Sequence, residues 1–152
     1  MDITREELQS RMERFEEALR SSGIKLTHQR IEIFREVAKT GDHPDAEKIY
    51  KRVKKRIPTI SLDTVYRTLW MLNDMGLITT LGLQRGRVRF DANVSPHHHF
   101  VCARCGRVGD FYSQDFDDLE VPEAVRSMGD VATIHVQFRG LCSRCSENNR
   151  RK

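Results

Sequence analysis

Apolar residues recur through the first half of the chain at helical spacing. Leu8, Met12, Phe15 and Leu19 form one stripe that Ser21, Ser22 and Gly23 end, so the pattern predicts an amphipathic helix over residues 4–20. A second helix is expected from Thr27, a good N-cap, with Ile31, Phe34 and Ala38 on one face and Gly41 as its C-terminal glycine. Asp45 caps a third, whose stripe is Ala46, Ile49, Tyr50, Val53 and Ile57, with Pro58 closing it. A fourth starts at Ser61 and buries Leu62, Val65, Leu69 and Leu72, which turns Thr64, Arg67, Thr68 and Met71 outward.

After Gly76 the residues become β-prone. Residues 77–83 and 87–90 read as two strands joined by a turn at Gln84, Arg85 and Gly86. Helices followed by a basic hairpin describe a winged helix-turn-helix, expected over residues 1–90. Its fourth helix offers a small-polar and arginine face suited to a major groove, and Arg85, Arg87 and Arg89 lie on the wing for phosphate or minor-groove contact. Residues 91–96 read as a hinge. Beyond it come short β segments, a helix over 122–128, a strand over 131–138 and a frayed tail. The expected class is α+β, with the winged helix followed by a small αβ domain over 91–152.

Charge sharpens this division. Residues 1–90 hold 18 Lys and Arg against 13 Asp and Glu, while the remainder holds 8 against 9. A basic half joined to a near-neutral half suits a polyanion-binding domain attached to a different module. The N-terminus is charged from its second residue, and no run approaches the roughly 18 apolar residues of a membrane span. A cytoplasmic protein without membrane contact is expected.

In that reducing setting, four cysteines in two Cys-x-x-Cys pairs point to a metal. Cys102 with Cys105 and Cys142 with Cys145 resemble two zinc knuckles that together close one tetrahedral structural zinc site. The 36 residues between the pairs exceed a simple zinc ribbon, so the metal would pin a small αβ unit by its ends. Four thiolates leave no vacant coordination position, and no enzyme activity is expected there. A second cluster lies alongside. If the chain is extended at His97, His98 and His99, then His97 and His99 share a face and His98 takes the other. Asp91 and Asp110 could add carboxylates, and such nitrogen and oxygen donors suit iron(II), manganese(II) or zinc.

Residues 26–30 (LTHQR), 43–50 (HPDAEKIY) and 61–69 (SLDTVYRTL), the histidine run and both cysteine pairs together resemble the ferric uptake regulator (Fur) family from about Leu8 to Cys145. The resemblance implies a homodimeric, metal-dependent repressor of transcription. By position it assigns His43, Asp91, His97, His99 and Asp110 to a regulatory iron or manganese site that ties the two halves together. Asp at position 91, where ferric-ion sensors usually carry Glu, is similar to the peroxide-sensing branch. The reading implied is that peroxide oxidises an iron ligand, His43 or His97, and releases DNA. His98, Asp117 and His135 could form a reduced version of a further metal site, although Pro96 stands at one of its usual positions and His135 is one residue out of register. For double-stranded DNA, the family pattern gives Tyr66 and Arg67 base contacts from the helix that also carries Thr64, Lys25 an AT-rich minor groove and Arg30 a phosphate, on an inverted-repeat operator. Three alternatives stand beside peroxide sensing: an iron- or manganese-responsive repressor, a constitutive zinc-stabilised DNA-binding protein and a thiol redox protein using a Cys-x-x-Cys pair.

Overall fold

Each of the first four helices opens on a side chain that accepts a backbone hydrogen bond from its first turn. In the computed structural model, which describes residues 3–84 and 87–150, these are α1 (Arg5–Ser21), α2 (His28–Ala38), α3 (Ala46–Lys54) and α4 (Leu62–Asp74), capped by Thr4, Thr27, Asp45 and Ser61. An oxygen at this position satisfies one of the amides that a helix leaves unpaired at its start. All four belong to the first of two compact units, Met1–Val94 and Ser95–Lys152.

The core of the first unit gathers the apolar stripes of all four helices. Phe15 of α1 stacks on Phe34 of α2 with ring centroids 4.5 Å apart, and Leu19, Ile33, Ile49, Val53, Val65, Leu69 and Leu72 are buried around them. Arg11 is buried as well. It donates to the Ala38 carbonyl at 2.9 Å and pairs with Glu7 at 2.6 Å, so α1 satisfies an open carbonyl at the end of α2. No glycine cap is used there, contrary to the role expected of Gly41; Lys39 ends α2 in a helical conformation. The third helix stops at Lys54, short of Pro58, and Arg56 folds back onto two buried carboxylates of α2, Glu32 and Glu36.

Strands β1 (Thr79–Gln84) and β2 (Arg87–Asp91) pair antiparallel, with Thr79 opposite Asp91 and a register shift between Leu81 and Gln84. The expected turn residue Arg85 lies outside the described residues. The inner end of β2 is hooked to the loop between α2 and α3: Phe90 donates its amide to the Pro44 carbonyl at 3.0 Å, and Asp45 bridges Arg89.

The second unit is a three-stranded sheet in the order β4-β3-β5. β3 (His98–Cys102) pairs antiparallel with β4 (Val108–Phe111) and parallel with β5 (Gln137–Gly140). Short helices α5 (Gln114–Asp117) and α6 (Glu123–Arg126) fill the connection, and α7 (Ser143–Arg150) starts after Cys142 and carries Cys145 in its first turn. The strand expected over 131–138 begins only at Gln137. Val131 is 41% exposed, and the Val136 amide donates to the His98 ring and not to a neighbouring strand. At β5 Gly140 lies beside the Phe100 ring, where an added Cβ would stand in ordinary contact at 3.5 Å.

Candidate metal centres and nucleic-acid interface

The four cysteines converge. Their sulfurs all lie within 4.8 Å of one another, and Cys105 Sγ is 3.8 Å from Cys142 Sγ. Sulfurs on a tetrahedral zinc at about 2.3 Å stand about 3.8 Å apart, so the quartet has zinc dimensions. Two local features build it. Gly106 adopts φ 72° in the first knuckle and donates to the Cys102 carbonyl, while the Cys142 amide donates to Cys102 Sγ at 3.4 Å. Backbone amides aimed at sulfur favour the thiolate at one of the four cysteines. Hydrogen bonds from the backbones of Cys105 and Cys142 bring the Cys102 thiol down to about 5, whereas burial and the neighbouring sulfurs push Cys145 up to about 12. Four such thiols ionise together only around a cation. The set fits a structural zinc, held by Cys102, Cys105, Cys142 and Cys145, and all four are unbridged by disulfides.

On β3, register sorts the three histidines. His99 pairs with Asp110 and His98 with Phe111, so His97 and His99 fall on the face that carries Asp110. His97 Nδ1 lies 2.6 Å from the Ser95 carbonyl and so donates its proton there, which leaves Nε2 as the ligating nitrogen. That atom is 2.9 Å from His99 Nε2, and Asp110 Oδ1 lies 3.3 Å from His99 Nε2 and 3.9 Å from His97 Nε2. Ligands at right angles about 2.1 Å from one ion stand about 3.0 Å apart. Two imidazoles and a carboxylate at these separations fit iron or manganese.

In the first unit, His43 and Asp91 form a buried pair, 1% and 5% exposed, with Nε2 3.2 Å from Oδ2. The Pro44 to Phe90 hydrogen bond brings them together. Asp91 Oδ1 also accepts from the Asn93 amide at 2.8 Å, which fixes the carboxylate. His43 is the one described non-glycine residue with positive φ, at 48°. Helical and strand periodicity carry no signal for that conformation.

The opposite face of β3 is different in kind. His98 is fully buried between Phe111 and Phe116. Its Nδ1 accepts from the Val136 amide at 3.2 Å and its Nε2 faces Asp117 Oδ1 at 3.2 Å. His135 directs Nδ1 toward the His97 carbonyl at 3.4 Å.

On α4 the exposed face differs from the expected one. Thr68 is buried and Met71 packs partly against the core, because positions 65, 68, 69 and 72 make one continuous helical stripe. The outward stripe is Asp63, Tyr66, Arg67 and Trp70, with Tyr66 41% and Trp70 43% exposed. The spacing 63, 66, 67, 70 adds Trp70 to the residues that the sequence places on this face. Arg67 pairs with Asp63 at 2.9 Å. A cleft of about 350 Å³ separates this helix from the start of α2, lined by Thr27, Gln29, Arg30, Thr64, Arg67, Thr68 and Met71. Lys25 is exposed just before it, and its carbonyl accepts from Arg30. Arg87 on β2 pairs with Asp45 at 3.3 Å and Glu47 at 3.1 Å. Among the described residues, no helix is long and apolar enough to cross a membrane.

Residues 21–138 match the Ferric uptake regulator family. The peroxide-responsive repressor PerR of Staphylococcus epidermidis is 32% identical over 130 residues, covering 86% of this chain and 87% of that protein. Among solved structures, PerR from Streptococcus pyogenes, described for peroxide sensing and gene regulation, superposes with a TM-score of 0.53 at 28% identity, covering 95% of each chain. The Helicobacter pylori ferric uptake regulator shares the fold, with a TM-score of 0.75 at 21% identity over 91% of this chain and 93% of that one. With the match running through α2, α3 and α4, the histidine strand and the first cysteine pair, the chain belongs to the ferric uptake regulator family of metal-dependent transcriptional regulators.

Proposed function

We propose that this regulator is a homodimeric DNA-binding repressor that senses peroxide through an iron-bound histidine. The carboxylate at position 91 carries the reading: a short Asp, buried and fixed by Asn93, stands against His43. His43 and Asp91 from the first unit and His97, His99 and Asp110 from the second are assigned to one regulatory ion. Such an ion favours a single arrangement of the DNA-binding heads, which is how a ligand that prefers one state controls another site. Bound iron(II) supplies the electron chemistry that splits hydrogen peroxide. At His43 or His97 a ring carbon exchanges its hydrogen for one peroxide oxygen, and the other oxygen leaves as water. The modified ring is a poorer ligand, and the tie between the units is lost.

The DNA contacts follow from the exposed face of α4. Tyr66 and Arg67 are assigned to bases and Thr64 to the same groove, with Arg30 and Arg87 on phosphates and Lys25 in an AT-rich minor groove. Paired heads of a dimer favour an inverted-repeat operator. Peroxide-responsive relatives at about 30% identity support the reading.

The deciding experiment measures operator binding with iron(II) or manganese(II), before and after a peroxide pulse. Release from the iron-loaded protein alone, with an oxygen added at His43 or His97, is expected. Binding that survives peroxide in both samples would favour an iron- or manganese-responsive repressor instead. Indifference to metal would leave a constitutive DNA-binding protein, and thiols that react without chelation would point to redox work at the cysteines.

A further inference from the structure

The face that carries the three ligands of the second unit holds a fourth side chain. In the β3–β4 ladder His99 lies across from Asp110 and His98 from Phe111, and one residue beyond its end Tyr112 stands beside His97. Alternation along both strands then places His97, His99, Asp110 and Tyr112 on one side of the sheet. The Tyr112 and His97 rings are 6.1 Å apart, centroid to centroid, inclined at 43°. Their exposure differs sharply: Tyr112 is 67% exposed and His97 2%. The phenol therefore stands on the water side of the buried imidazole.

We propose that Tyr112 is a second site of peroxide-driven oxidation, hydroxylated on its ring and competing with His97 for the oxidant. The inference rests on the iron and peroxide reading above. An oxidant generated beside His97 and His99 reacts within a few ångströms of where it forms, and a phenol is among the side-chain rings most easily oxidised. At Tyr112 the bond broken is the C–H ortho to the phenolic carbon, and the bond formed is C–O. Hydrogen peroxide contributes that oxygen and is reduced by two electrons, its O–O bond breaking as the second oxygen leaves as water with the displaced hydrogen. The ring is oxidised by the same two electrons, and the ion ends as iron(II). Oxidant consumed at Tyr112 leaves His97 intact, so the tyrosine sets how much peroxide is needed to disable the ligand.

The test uses the full chain loaded with zinc and iron(II), exposed to graded hydrogen peroxide and mapped by peptide mass spectrometry. One added oxygen is expected on Tyr112 as well as on His43 or His97, and none on Tyr112 in a manganese(II)-loaded sample at the same peroxide. In Tyr112→Leu, the fraction of oxidised His97 at low peroxide should rise at least twofold. A modified His43 or His97 beside an unmodified Tyr112 would overturn this inference and leave the peroxide reading standing. No modification at any of the three would overturn both. Equal modification of Tyr112 with iron and manganese would show ordinary oxidation of an exposed ring and also overturn it, as would an unchanged His97 fraction in the leucine variant.

Discussion

His98 and Asp117 meet at 3.2 Å, Nε2 to Oδ1, while the Val136 amide donates to the other ring nitrogen. A ring that accepts at Nδ1 carries its proton at Nε2, on the side of the Asp117 carboxylate, and keeps no lone pair there for a metal.

Metal analysis of the purified chain should therefore find two ions per protomer, one zinc and one regulatory ion. Asp117→Ala should leave that count unchanged and lower stability by about 1–2 kcal/mol, because the buried imidazole loses the carboxylate that its Nε2 faces. A third tightly held ion that disappears in Asp117→Ala would show that this pair opens to admit metal.

A second expectation concerns acid. Burial pushes the Glu36 carboxyl up, but hydrogen bonds and charge from Lys39 and Arg56 outweigh it and hold the group below the usual carboxylate range. A depressed folded value stabilises above the unfolded value near 4.3 and is lost as pH falls through the folded one. Arg56→Leu leaves Glu32 and Glu36 buried with only Arg35 and Lys39 as partners. It should cost roughly 2–3 kcal/mol in urea titrations at neutral pH, since Arg56 itself is partly exposed. Acid unfolding of the first unit, followed by circular dichroism, should begin at a higher pH than in the parent.

Removal of one thiolate tests the quartet. Cys142→Ser should lose zinc and unfold the second unit, because the β3–β5 ladder ends at Cys102 and Gly140, beside the sulfurs. Helix content from the first unit should persist in the same spectrum. A variant that kept zinc and its sheet would show that three thiolates suffice.

The proposed DNA face offers two readouts. Arg67→Ala should weaken operator binding by about 1–3 kcal/mol while random DNA binding falls less, whereas Lys25→Ala should weaken both and flatten the salt dependence. Trp70 is the only tryptophan in the chain and lies on that exposed stripe. Its fluorescence should shift on operator binding and stay unchanged when the operator is replaced by buffer of equal ionic strength.

Much of this architecture is written locally. Thr27, Asp45 and Ser61 announce helix starts because capping needs only the next three residues, and the cysteine spacing announces a knuckle for the same reason. Features made by distant partners are not legible in that way. Arg11 and Arg56 read as surface charges until α2 supplies the Ala38 carbonyl and the two glutamates. His43 needs a positive φ that no periodicity encodes, and its partnership with Asp91 depends on a strand hooked to a loop 46 positions earlier. Residues 131–136 have strand-like composition, yet the Val136 amide is taken by a histidine ring.

The zinc site has a mechanical side. Cys105 and Cys142 stand 37 positions apart, and the chain between them runs through the exposed Leu119, Met128 and Val131, where a protease finds ready access. A single cut there would leave both pieces fastened to the same ion, and they would separate only when it was chelated. The ion thus does for this loop what a disulfide does in a secreted protein, and unlike a disulfide its hold survives a reducing cell.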